Sequence, residues 1–164
     1  MLRTLLAALA AMLAVPALAH DGIHIENPYA RVGASGSGAA FFDIVNHSAE
    51  PDRLISAASE AAERVELHTH VEDAQGVMRM IEVKDGIPVG GHETSALARG
   101  GNHVMLLGLR QPLKDGDVLL LTLTFERGEV ITVEVPVDNA RRPDDAGQHG
   151  HHGHGHHGNG TPSN

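Results

Sequence analysis

Between residues 23 and 137 the apolar and polar positions alternate in short runs and do not recur at helical spacing. Ile23 and Ile25 alternate with His24 and Glu26 at the start of a segment reaching Arg31, and Ala39 to Asn46 is more fully apolar. Arg64 to Glu72, Val77 to Val83, His103 to Leu109, Val118 to Glu126 and Val130 to Val137 follow, punctuated by Gly, Asp, Asn and Pro. Such runs read as strands, because successive strand side chains point to opposite faces. Asp115-Gly116 and Arg127-Gly128-Glu129 read as turns. No convincing amphipathic helix is legible; Ser56 to Glu63 has room for a helical turn or two. About seven short strands over roughly 120 residues predict an all-β Greek-key sandwich or barrel.

The flanks differ from this middle. Arg3, the apolar run from Leu5 to Val15 and the small-residue end Ala17-Leu18-Ala19 read as a secretory signal over residues 1–19, with cleavage expected after Ala19. The apolar stretch falls short of the roughly 20 residues that a membrane span needs. Export to the periplasm without membrane insertion is expected, with a domain over 20–139. From Ala140 to Asn164 the chain turns polar. His149, His151, His152, His154, His156 and His157 are interleaved with Gly and no apolar residue, so this tail is expected to be disordered.

Composition narrows the function. The chain carries 12 Lys plus Arg against 21 Asp plus Glu, a balance that disfavours nucleic acid and anionic lipid. There is no cysteine, so no thiolate is available as nucleophile or metal ligand. With Tyr29, Phe41, Phe42 and Phe125 as its aromatics, the core must be mainly aliphatic. Histidine is abundant at 13 residues, and the three methionines after the signal all lie near histidines.

Those residues form i, i+2 pairs: His68 and His70, Met78 and Met80, His103 and Met105. Side chains two apart on a strand share a face. Val65, Leu67, Thr69 and Val71, then Val77, Ile81 and Val83, then Val104 and Leu106 occupy the alternate positions and are expected to face the core; Arg79 interrupts the second set. His and Met then gather on the opposite face. Thioether sulfur is a soft, neutral donor that selects Cu(I), and imidazole binds copper as well. A dedicated zinc site prefers imidazole, thiolate and carboxylate.

Glu66-Leu67-His68, Gly76-Val77-Met78-Arg79-Met80 and Gly100-Gly101-Asn102-His103-Val104-Met105-Leu106-Leu107-Gly108-Leu109 resemble the periplasmic copper chaperones called PCu(A)C. Asn27-Pro28-Tyr29-Ala30-Arg31, Asp52-Arg53-Leu54 and Pro112-Leu113-Lys114-Asp115-Gly116-Asp117 match as well, so the resemblance covers about residues 23 to 137. It implies a cupredoxin-like fold and one Cu(I) held by His68, Met80, His103 and Met105. It also implies delivery to respiratory oxidase assembly, to cytochrome c oxidase subunit II or a thioredoxin-like assembly factor, by a monomer. Two departures stand out. The loop around Asp73-Ala74-Gln75-Gly76 is one residue longer than usual, and His70 stands where many members carry Met, as an auxiliary ligand or a replacement for His68. Met78 is the other spare donor.

The tail reads as a flexible chelator able to capture Cu(II), with Zn(II) and Ni(II) as alternatives. A copper or zinc buffer acting mainly through that tail is the alternative to a carrier. An enzyme is not expected: no substrate pocket or nucleophile is legible, and a blue-copper centre would want a cysteine. His20 would become a new N-terminus close to His24. His24, His47 and His92 are expected to be solvated histidines, and Asp43, Glu66 and Glu82 surface charges.

Overall fold

A computed structural model describes residues 22–142. The expected signal, His20 and the six tail histidines lie outside the described residues. Ten strands follow in order: β1 (Ile23–Val32), β2 (Ser37–Asn46), β3 (Asp52–Ala58), β4 (Ala62–Glu72), β5 (Met78–Glu82), β6 (Ile87–Val89), β7 (Thr94–Leu97), β8 (His103–Leu109), β9 (Val118–Phe125) and β10 (Val130–Pro136). They form two antiparallel sheets, and the described residues contain no helix and hence no helix able to cross a membrane. The all-β expectation holds.

The first sheet runs β1-β2-β8-β4-β5, with β7 also on β2; the second runs β10-β9-β3-β6. Strand β2 shares one edge between two partners. Its residues 37–40 pair with β8 and its residues 42–45 with β7. The chain therefore leaves the sheet at Leu97 and re-enters at His103, and the intervening loop sits beside the start of β8. Gly100 turns that loop with φ of 85°, in the left-handed region where a Cβ is disfavoured.

The core lies between the sheets. Alternation in β9 sends Leu119, Leu121, Leu123 and Phe125 inward and leaves Val118 and Leu120 exposed. Ala40, Phe42 and Ile44 of β2 face them, with Val104 and Leu106 of β8 and Leu67 of β4. Each fully buried Leu, Val, Ile or Phe contributes about 1.5–3 kcal/mol by leaving water. Without any disulfide, this interior carries the fold.

Three departures from the expected pattern have identifiable causes. Ser56 to Glu63 holds no helical turn. Ser56–Ala58 belong to β3, whose register shifts between Leu54 and Ser56, and β4 starts at Ala62. The short β6 and β7 were not legible as strands because three or four residues give too few repeats to reveal a period. The third concerns β4 and β5: Val71, Val77 and Ile81, expected in the core, are exposed. Strand β5 is the edge of the first sheet, paired with β4 and exposed along its length, so the tip of the β4–β5 hairpin is left uncovered.

Candidate metal centre

On the outer face of the first sheet, cross-strand pairing lays the soft donors in adjacent rows. His68 of β4 lies opposite His103 of β8 on one side and Glu82 of β5 on the other. One row along, His70 lies opposite Met80; in the other direction Met105 lies between Glu66 of β4 and Ala39 of β2. The β4–β5 loop fixes this register. Asp73 accepts hydrogen bonds from the amides of Gln75 and Val77, each at 3.0 Å, and pairs with Arg79 at 2.6 Å. Arg79 holds the Asp73 carboxyl below its ordinary pKa, aided by the Val77 and Gln75 amides. The arginine that interrupted the apolar pattern is therefore a loop clamp.

His103 is 2% exposed although it faces away from the core. Phe41 of β2 covers it at a ring separation of 6.0 Å, and Tyr29 of β1 backs Phe41 at 5.1 Å. Its Nδ1 lies 3.0 Å from the Gly101 carbonyl, which can only accept, so Nδ1 carries the proton in the neutral ring. That leaves the Nε2 lone pair free, 3.2 Å from Met80 Sδ. Burial, more than any other cause, pushes the His103 pKa below its ordinary value and favours the neutral, ligating form.

Met80 reaches this point across the intervening β4 and remains 45% exposed, so the meeting place opens to solvent. His103, Met80, Met105 and His70 line a cleft of about 460 Å³, together with Ala39, Phe41, Arg99 and Gly100. A larger cleft of about 880 Å³, beside the β3–β4 turn and β9, contains no histidine or methionine. The smaller cleft has the chemistry: two imidazoles and two thioethers, with no carboxylate or thiolate. Among the described residues no cluster of three or more His, Cys, Asp or Glu is arranged to hold a metal, so a conventional zinc-type site is not assembled.

His68 stands apart. Its ring lies 5.9 Å from that of His103, but its Nε2 is 2.9 Å from Glu66 Oε2, and Glu66 is also paired with Arg64 at 3.2 Å. A carboxylate accepts, so Nε2 is the protonated nitrogen of the neutral ring. Its Nδ1 is buried with no hydrogen-bond partner, as is Nδ1 of His70. Two orphaned ring nitrogens beside the cleft fit a face built to meet a metal ion. Met78 is exposed opposite Glu72 and does not line the cleft.

Glu66, expected as a plain surface charge, is thus half of a pair with His68; its i, i+2 spacing was the available signal. Phe41, Arg99 and the Gly101 carbonyl were not foreseen at all, because they come from distant segments. Asp43 hydrogen-bonds Asn27 and Glu82 pairs loosely with Lys84, in keeping with surface roles. His24 and His47 stack edge to face at 5.0 Å, far along the sheet from the cleft.

A family profile described as "LpqE-like: Putative lipoprotein LpqE-like" matches residues 23–137. The chain belongs to the LpqE-like family. A relative named "Putative lipoprotein Lxx21020", from Leifsonia xyli subsp. xyli, is 36% identical over 117 residues, covering 71% of this chain and 70% of the relative. Among solved structures, the copper-bound PCuAC domain from PmoF2 is 26% identical with a TM-score of 0.57, covering 71% of this chain and 92% of that one. The solution structure of Cu(I)-bound DR1885 from Deinococcus radiodurans is 28% identical with a TM-score of 0.52, covering 73% and 76%. The motif resemblance to PCu(A)C domains is borne out, and the fold of this LpqE-like chain is theirs, cupredoxin-like.

Proposed function

We propose that this protein is an exported, non-enzymatic carrier that holds one Cu(I) in the outer-face cleft and releases it to a copper-acceptor protein. The observation that carries this reading is the convergence of His103 Nε2 and Met80 Sδ at 3.2 Å in a cleft also lined by Met105. The ligands are Met80, His103 and Met105 with an imidazole from β4, where the family motif points to His68 and where His70 also stands. Neutral donors with two thioethers suit Cu(I). An open cleft suits a carrier, because an acceptor must reach the ion and exchange ligands one at a time.

The copper-bound PCuAC domain of PmoF2 and Cu(I)-bound DR1885 support copper as the cargo. The lipoprotein name of the relative and the signal-like residues 1–19 support export, with the periplasm as destination. The acceptor belongs to respiratory oxidase assembly: cytochrome c oxidase subunit II or a thioredoxin-like assembly factor. In the tail, His149, His151, His152, His154, His156 and His157 collect Cu(II). Titrating the full chain with Cu(I) against a chromophoric chelator tests the domain's role, with the tail histidines changed to glutamine. One tightly held ion is expected, lost in His103→Ala; undiminished binding in that variant sinks the reading.

The six closely spaced tail imidazoles favour a second reading, a copper or zinc buffer in which the domain is a holder. Deleting residues 147–158 separates the two. A carrier keeps Cu(I) transfer to its acceptor, whereas a buffer loses its capacity.

A further inference from the structure

We infer that His24, His47 and His92 form a second metal site, distinct from the cleft, that takes a borderline divalent ion, Cu(II) or Zn(II), on imidazole alone. The described residues include six histidines. Three of them, His68, His70 and His103, lie at or beside the cleft. The other three gather at the opposite end of the same sheet. Along β2, six residues separate Phe41, which covers His103, from His47, or about 20 Å at strand rise. No ligand can be shared over that distance, and the second site does not depend on whether the cleft carries Cu(I).

Backbone pairing draws the three together. His24 of β1 lies opposite Val45, and His47 stands two residues beyond Val45, just past the end of β2. There the His47 amide donates to the Gly22 carbonyl at 3.2 Å, so the β1–β2 register runs on to His47 and makes it a diagonal neighbour of His24. On the other side of β2, Val45 pairs with Thr94 of β7. The Asn46 amide donates to the Glu93 carbonyl at 2.9 Å, and the His92 amide to the Ser48 carbonyl at 2.8 Å. Gly91 lies too close to the Ala49 carbonyl to admit a Cβ, so the loop carrying His92 is held against the His47 end of β2.

The ring geometry is that of two ligands. The His24 and His47 rings sit 5.0 Å apart, centre to centre, with planes at 73°. Two imidazoles bound at about 2.0–2.1 Å to one tetrahedral ion have ring centres about 5 Å apart. His92 is exposed, with φ of 54° taking it out of the regular strand path. It swings in as the third ligand when the ion binds, since no three such side chains among the described residues have converged as they stand. Three imidazoles without a thioether suit Cu(II) or Zn(II) better than Cu(I). Glu26, two residues beyond His24 on the same face of β1, adds negative charge nearby.

The test uses the full chain with His20 and the six tail histidines changed to glutamine, so that only the six described histidines remain. Zn(II) and, separately, Cu(II) are the probes, each in competition with a chromophoric chelator. His24→Gln and His47→Gln are each expected to weaken the ion at least tenfold and His92→Gln at least threefold. His103→Ala, at the cleft, should leave it within threefold. Zn(II) should also shift the ring-proton resonances of His24 and His47, and an unchanged urea midpoint of the metal-free variants shows that they fold. Undiminished binding in any of the three glutamine variants overturns the site. So does a parent chain that binds neither ion, or a loss that follows His103→Ala instead. Failure to bind Cu(I) is a separate result, which defeats the carrier reading and leaves this one standing.

Discussion

Replacing Met80 by Leu isolates the thioether from its bulk. In this structure Met80 Sδ and His103 Nε2 are 3.2 Å apart. Two donors on one tetrahedral ion, with bonds of about 2.0 Å to nitrogen and about 2.3 Å to sulfur, would lie about 3.5 Å apart. The pair is therefore within a few tenths of an ångström of that spacing, so little rearrangement would be needed for both atoms to reach one ion. Loss of an outer partner of a ligand typically costs about 10- to 100-fold in metal affinity. Loss of a direct donor, the role proposed for Met80, should cost at least as much, so the variant is expected to bind Cu(I) at least about tenfold more weakly, about 1.4 kcal/mol. Leu and Met have similar volume, and Met80 is nearly half exposed on an edge strand. The apo fold should therefore change by less than about 1 kcal/mol. Chelator competition measures the first quantity and urea unfolding of the copper-free chain the second. Affinity within threefold of the unsubstituted chain, with the fold intact, would refute the claim that this thioether is a ligand.

Other consequences follow from the same geometry. Leu106→Ala, at a fully buried position one strand residue from Met105, should destabilise the chain by about 2–5 kcal/mol, read as a lower urea midpoint. Tyr29 is the chain's single tyrosine and there is no tryptophan, so absorbance near 295 nm reports its phenol alone. Burial raises its pKa above the ordinary 10.0, against the opposing pull of Arg141 stacked 4.4 Å over the ring. The folded titration should fall at higher pH than the denatured one. The stability contributed by this group is complete below the unfolded pKa and lost as pH rises through the folded value; coincident titrations would contradict the burial argument. For His103 the sign is reversed. Its folded pKa is depressed by burial, so the copper-free protein should lose stability as pH falls below the unfolded value of about 6.5. His103→Gln should flatten that part of the stability profile, and an unchanged slope would assign it to another group.

Much of the fold was legible because period-2 alternation is a local property. The segments now seen as β1, β2, β4, β5, β8, β9 and β10 announced themselves, and His103 to Leu109 matches β8 end to end. What local alternation cannot carry is a change of phase. In β1, Ile23 and Ile25 pair with inward positions of β2, then the register shifts between Glu26 and Tyr29, with Asn27 at φ of 52°. That bulge turns Ala30 inward and Tyr29 outward, where it backs Phe41 and, through it, His103. Counting by twos from Ile23 would have buried Tyr29 in the core.

By itself, the sequence determined the chemistry: no thiol, an acidic chain, and imidazoles and thioethers at strand spacing on common faces. It also determined that two of these pairs belong to neighbouring segments, which a hairpin joins. Only the tertiary structure decided which donors meet. Met80 touches His103 because β4 lies between β5 and β8, and the register of those pairings sets His70 against Met80 and His68 against His103. It also decided that Glu66 takes Nε2 of His68 and that the loop before β8 supplies the carbonyl fixing the His103 tautomer. The reason is physical. Alternation tells which face a side chain occupies, but a shared ion needs atoms from separate strands within a few ångströms. That distance is set by pairing between segments far apart in the chain.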